Sequence, residues 1–68
     1  MLSARNQFRA IVKSVKLGQV MAEVVMSVGE IEVVSLISRA SAENLKLKTG
    51  DQVTTVIKAT EVMVAKGS

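Results

Sequence analysis

The chain contains no cysteine and no histidine. That excludes disulfides, zinc sites and any nitrogen or thiolate ligation of a metal, and it removes the usual catalytic bases and nucleophiles. Tryptophan and tyrosine are also missing, which leaves Phe8 as the single aromatic residue. Proteins that grip single strands or RNA add aromatic platforms on which bases stack, so a base-reading surface is disfavoured. No stretch free of charged residues exceeds six residues, far short of a spanning helix. The N-terminus lacks the basic region and apolar run of a secretory signal, so a cytoplasmic location is expected. The glycines stand alone at positions 18, 29, 50 and 67, which rules out a glycine-rich phosphate loop. Glu23, Glu30, Glu32, Glu43, Asp51 and Glu61 show no spacing that argues for a catalytic pair, and no enzymatic activity is expected.

What is present is apolar. At 68 residues there is room for one core, and 49% of the residues are hydrophobic, with a mean hydropathy of +0.37. A chain this short buries only roughly 60% of its unfolded surface and folds marginally on its own. With disulfides and metals excluded, oligomerisation is the remaining reinforcement, and the apolar excess is expected to lie in subunit interfaces. The net charge of +3 comes from basic residues spread along the chain, not clustered. Most of these are solvated charges. The balance suits a small inorganic anion better than a nucleic acid.

Periodicity predicts a β protein. From Asn6 to Lys16, Phe8, Ala10 and Val12 alternate with Arg9, Ile11 and Lys13, after which Val15 falls out of phase. Such a slip predicts a bulge near Lys13-Ser14 that bends a long strand. After a turn at 16–19, Val20, Ala22, Val24, Met26 and Val28 form a period-two stripe. A turn at 28–30 leads to a third strand over 31–37, whose end, Val33 to Ile37, reads as buried on both faces. Between 38 and 45 the β-branched residues stop. Ser38 or Ser41 is suited to cap a short helix there, with Leu45 and Leu47 turned inward. A turn at 48–51 precedes a fourth strand over 52–58, and a short fifth is expected over 62–65. Five strands with a helix between the third and fourth predict an OB-type Greek-key barrel, with an open SH3-like barrel as the rival.

The chemistry that survives is a set of hydrogen-bond donors. Ser3 and Arg5 lie ahead of the first strand and Asn6 at its start, Ser38 and Ser41 at the helix start, Lys58 at the end of the fourth strand and Thr60 beyond it. Arginine's planar fork suits a tetrahedral oxyanion, and hydroxyl and backbone donors can complete a shell around it. Each charge-assisted hydrogen bond contributes roughly 1.5–3 kcal/mol.

These stretches carry a resemblance. Ser3-Ala4-Arg5-Asn6-Gln7, Ala22-Glu23-Val24, the run from Ser35 to Ser41, the run from Leu45 to Asp51 and the run from Val56 to Met63 together resemble the molbindin (Mop) family of small molybdate-binding domains. Ala10 departs from the glycine common there, away from the donor pattern. The resemblance implies an OB-fold subunit, dimers that share strands, and a homohexamer built as a trimer of dimers. It also implies molybdate or tungstate held at subunit interfaces. Ser3, Ala4 and Arg5 of one subunit would face Ser38, Ser41 and Lys58 of a neighbour, with Asn6 and Thr60 as secondary candidates. The protein would contact the oxyanion's oxygens through donors and never ligate the metal directly. Intracellular molybdenum storage is the implied role. The alternative, from net charge and fold, is an OB module for single-stranded nucleic acid.

Overall fold

The computed structural model describes residues 5–67, so Ser3 and Ala4 lie outside the described residues. Four antiparallel strands, β1 (Asn6–Leu17), β2 (Met21–Val28), β3 (Ile31–Ser38) and β4 (Gln52–Ile57), form one sheet in the order β3-β2-β1-β4. The helix α1 (Arg39–Asn44) joins β3 to β4, and a 3-10 turn (Ala59–Glu61) follows β4. The protein is therefore nearly all-β with a helix where the pattern placed it.

β1 organises the sheet by changing partners along its length. Asn6 to Ile11 pair with β4, and Ile11 to Leu17 pair with β2. The register slips between Val12 and Ser14, at the predicted bulge. Val12 is opposite Met26 before the slip and Val15 is opposite Val24 after it. The extra residue, Lys13, therefore returns Val15 to the inner face despite its broken phase. The turn before β4 fastens onto this kink. Gly50 N–H donates to the Val12 carbonyl at 2.8 Å, and Val12 N–H donates to the Asp51 carbonyl at 2.9 Å. Gly50 adopts φ +95, a conformation glycine reaches without Cβ strain.

Ala10, Val12, Val24 and Met26 form the buried centre, with Val15, Val28, Val33, Ile37, Leu47 and Val53 packed around it. The stripe on β2 thus faces the core as its period requires, except Val20, which precedes the strand and stays exposed. Thr55 is buried and donates its hydroxyl to the Met26 sulfur at 3.2 Å.

Three expectations are corrected. β3 is not covered on both faces in the single chain. It is an edge strand whose Val34 and Leu36 point outward, 59% and 67% exposed. Leu47 turns inward, whereas Leu45 remains exposed. The fifth strand does not form either, because residues 62–67 make no ladder within this chain. Val62 is extended, at φ −94 and ψ 122, but Met63 and Val64 are 93% and 94% exposed. An extended segment becomes a strand only when a neighbouring backbone supplies its hydrogen bonds, and this segment leaves its own sheet. The edge strands β3 and β4 are instead left bordering a cleft of about 490 Å³, floored by Val12, Val24 and Met26.

Candidate oxyanion site

The donor residues fall into two groups. The first lies where β1 begins and β4 ends. Asn6 pairs with Ile57, and one step beyond that pair stand Arg5 and Lys58. Lys58 is extended, at φ −66 and ψ 136, and its carbonyl accepts from Glu61 N–H at 2.9 Å as the 3-10 turn closes. Its side chain caps nothing and lines the rim of the apolar cleft beside Glu61. Thr60 sits exposed in the turn. Among the described residues the ion pairs are Lys13–Glu32 at 2.7 Å and Arg39–Glu43 at 3.4 Å, so neither Arg5 nor Lys58 is neutralised by a carboxylate.

The second group lies where β3 becomes α1. Ser38 is the N-cap, with extended dihedrals of φ −66 and ψ 149, because its hydroxyl oxygen can accept from a first-turn amide. Ser41 N–H donates to Ser38 Oγ at 3.0 Å, and the two hydroxyls are hydrogen-bonded at 2.8 Å. Both serines are exposed. Their mutual bond leaves one hydroxyl proton of the pair free to donate outward, and a hydroxyl that accepts one hydrogen bond donates a stronger one. Of the two serines suited to cap the helix, Ser38 is the one that does so.

Among the described residues no hydrogen bond joins the first group to the second. Nor do the described residues hold a cluster of three or more carboxylates, histidines or cysteines suited to a metal ion. What the arrangement offers is positive charge and N–H or O–H donors, the chemistry of an oxyanion receptor.

One residue near this site went unnoticed in the sequence. Arg39, the first residue of α1, donates its backbone N–H to the Val20 carbonyl at 2.7 Å and its guanidinium to the Gly18 carbonyl at 3.2 Å. Its Nε also approaches Glu43 at 3.4 Å, one helical turn on. The i,i+4 spacing of Arg39 and Glu43 was visible, but the reach to Gly18 is a tertiary contact that no local pattern encodes.

Comparison with known proteins then decides the family. The TOBE domain profile matches residues 2–64. This chain belongs to the TOBE-domain family. Within that family its relatives include molybdenum-pterin-binding and molybdate-binding proteins, in keeping with the Mop resemblance. The TOBE domain here is 48% identical over 64 residues to molybdenum-pterin-binding protein 3 of Clostridium pasteurianum, covering 93% of this chain and 94% of that protein. It is also 43% identical over 63 residues to the molybdenum transport protein ModE of Azotobacter vinelandii, but spans only 23% of that larger protein. Among solved structures, a molybdate-binding protein from Sporomusa ovata superposes with a TM-score of 0.93 at 42% identity, covering 97% of this chain and 98% of the other. MopII from Clostridium pasteurianum, in an apo form, superposes at 0.90, also at 42% identity, covering 97% of this TOBE domain and all (100%) of MopII.

Proposed function

We propose that this TOBE domain binds molybdate or tungstate without catalysis, at interfaces between copies of itself, and serves molybdenum storage in the cytoplasm. The observation that carries the reading is full-length similarity, in sequence and in fold, to proteins named for binding molybdate or molybdenum-pterin. The donor chemistry fits it, in the arrangement that the Mop resemblance implies. Ser3, Ala4 and Arg5 of one copy would face Ser38, Ser41 and Lys58 of a neighbour, with Asn6 and Thr60 at the margin, so that the Lys58 standing beside Arg5 in one chain would serve a different anion from that Arg5. Together they give a dianion two cations, hydroxyls and backbone amides, with each metal–oxo oxygen contacted through a donor.

The assembly reading rests on what the single chain leaves uncovered. The cleft between the edge strands β3 and β4 is lined mainly by aliphatic side chains, and along residues 62–64 Val62 is half-exposed while Met63 and Val64 are almost fully exposed. Val62–Val64 of one copy enters the cleft of another as the fifth strand, completing an OB-type barrel through strand exchange. Three such dimers make the hexamer. This would also cover surface that a chain of 68 residues cannot bury alone.

Equilibrium dialysis of the purified oligomer against molybdate, with excess sulfate as competitor, tests the reading. Saturable uptake that sulfate does not displace supports it. A folded oligomer that takes up no molybdate refutes it, and salt-sensitive retention of single-stranded nucleic acid by that same protein would then favour the OB-module alternative.

A further inference from the structure

Glu43 poses an electrostatic problem for the proposed site. It lies two residues beyond Ser41 on a six-residue helix. A bare carboxylate there would oppose any dianion approaching the serine hydroxyls. We infer that Arg39 is a positioning residue of the oxyanion site: its guanidinium, held by the Gly18 carbonyl, cancels the Glu43 carboxylate on the helix that the Ser38–Ser41 pair begins. The inference rests on the oxyanion reading above and adds to it a residue that touches no anion.

Three contacts carry the argument. The Arg39 Nε–Glu43 Oε2 distance of 3.4 Å pairs the two charges across one turn of α1. The guanidinium also donates to the Gly18 carbonyl at 3.2 Å, in the turn between β1 and β2. The backbone N–H donates to Val20 at 2.7 Å in the same turn. The turn that receives these bonds is closed by a hydrogen bond of its own. Gly18 N–H donates to the Met21 carbonyl at 2.8 Å, and a Cβ at Gly18 would lie 2.9 Å from that same oxygen. Arg39 is thus bonded at two points to that turn and at a third to Glu43, immediately after the capping serine. Its charge stays beside Glu43 because the Gly18 carbonyl helps to fix the guanidinium plane. A lysine, with a single point charge and no fork, holds that geometry less well.

The test is molybdate affinity at low salt, measured by titration calorimetry on the assembled protein, for four variants. Removing Arg39's charge in Arg39→Met exposes Glu43, and binding weakens roughly five-fold, the order of effect of one exposed unit charge on a nearby dianion in a water-like dielectric. Glu43→Gln leaves Arg39 unopposed and tightens binding by a similar factor, a gain that unfolding cannot mimic. The double variant Arg39→Met/Glu43→Gln returns to within about two-fold of the parent. All three differences shrink as salt rises, because the groups are exposed. Ser41→Ala is the control that separates the two claims. If Ser41→Ala does not weaken binding, the placement of the site at these serines is wrong. If Ser41→Ala weakens binding but Glu43→Gln does not tighten it, or the double variant stays as weak as Arg39→Met, the role of Arg39 is overturned and the site stands.

Discussion

Among the described residues the Val62–Val64 segment is the most exposed apolar stretch, and replacing it with Val62→Ser/Met63→Ser/Val64→Ser tests the strand-exchange assembly. Full burial of a valine or methionine side chain stabilises by about 1.5–3 kcal/mol. Met63 and Val64 are almost fully exposed in the single chain, at 93% and 94%, and Val62 is half-exposed at 50%. Seating one segment in the β3–β4 cleft therefore contributes roughly 5 kcal/mol, and a two-fold exchange seats two segments, for roughly 10 kcal/mol. Packing in the cleft is imperfect and the free segment covers some of its own surface, so about half of that sum is a conservative figure. Even 5 kcal/mol is more than three orders of magnitude in a dimer dissociation constant. Serine keeps the backbone donors and acceptors, so the substitution removes the apolar contribution and leaves the ladder chemistry intact. Sedimentation velocity at micromolar protein is expected to show the parent as an oligomer and the triple variant shifted to monomer. A triple variant that sediments like the parent would refute the assignment of this segment to a partner's cleft.

Other consequences follow from the same contacts. Lys58→Ala and Arg5→Ala are each expected to weaken molybdate binding by about ten- to a hundred-fold, the scale of one charge-assisted hydrogen bond, with the oligomer still assembled by size-exclusion chromatography. Val12→Ala removes a side chain that is 1% exposed at the floor of the core and is expected to cost about 2–3 kcal/mol in urea unfolding. Gly18→Ala places a Cβ 2.9 Å from the Met21 carbonyl, so the turn must shift, and a lowered thermal midpoint is expected. Ser38→Ala removes the N-cap of α1 and costs about 1 kcal/mol, read by the same thermal melt.

The parts of the fold that local pattern encodes were legible in the sequence. The bulge showed as a phase slip at Val15, because two residues opposing one on β2 must shift the inward set by one position. The helix start showed as the end of the β-branched run at Ser38, a residue suited to a cap. Where the pattern failed, the deciding partner lay outside the segment. Val34 and Leu36 read as doubly buried because apolar residues on both faces of a strand look alike whether the cover comes from the same chain or another. Val62 to Ala65 has the composition of a strand, but pairing requires an edge that its own fold does not present to it. The same limit governs the site. Residue types marked Arg5, Ser38, Ser41 and Lys58 as donors, while the bond between the serine hydroxyls and the grip of Arg39 on Gly18 depend on three-dimensional placement.

The central claim is that an oxyanion is held by donors from more than one copy of this chain. The most direct test is a crystal structure of the molybdate-loaded oligomer, with the metal located by anomalous scattering at the molybdenum edge. The account predicts a tetrahedral anion at a subunit interface, with Arg5 of one copy and Ser41 and Lys58 of another within hydrogen-bond distance of its oxygens. An anomalous peak contacted by a single copy, or one remote from these three residues, would contradict it.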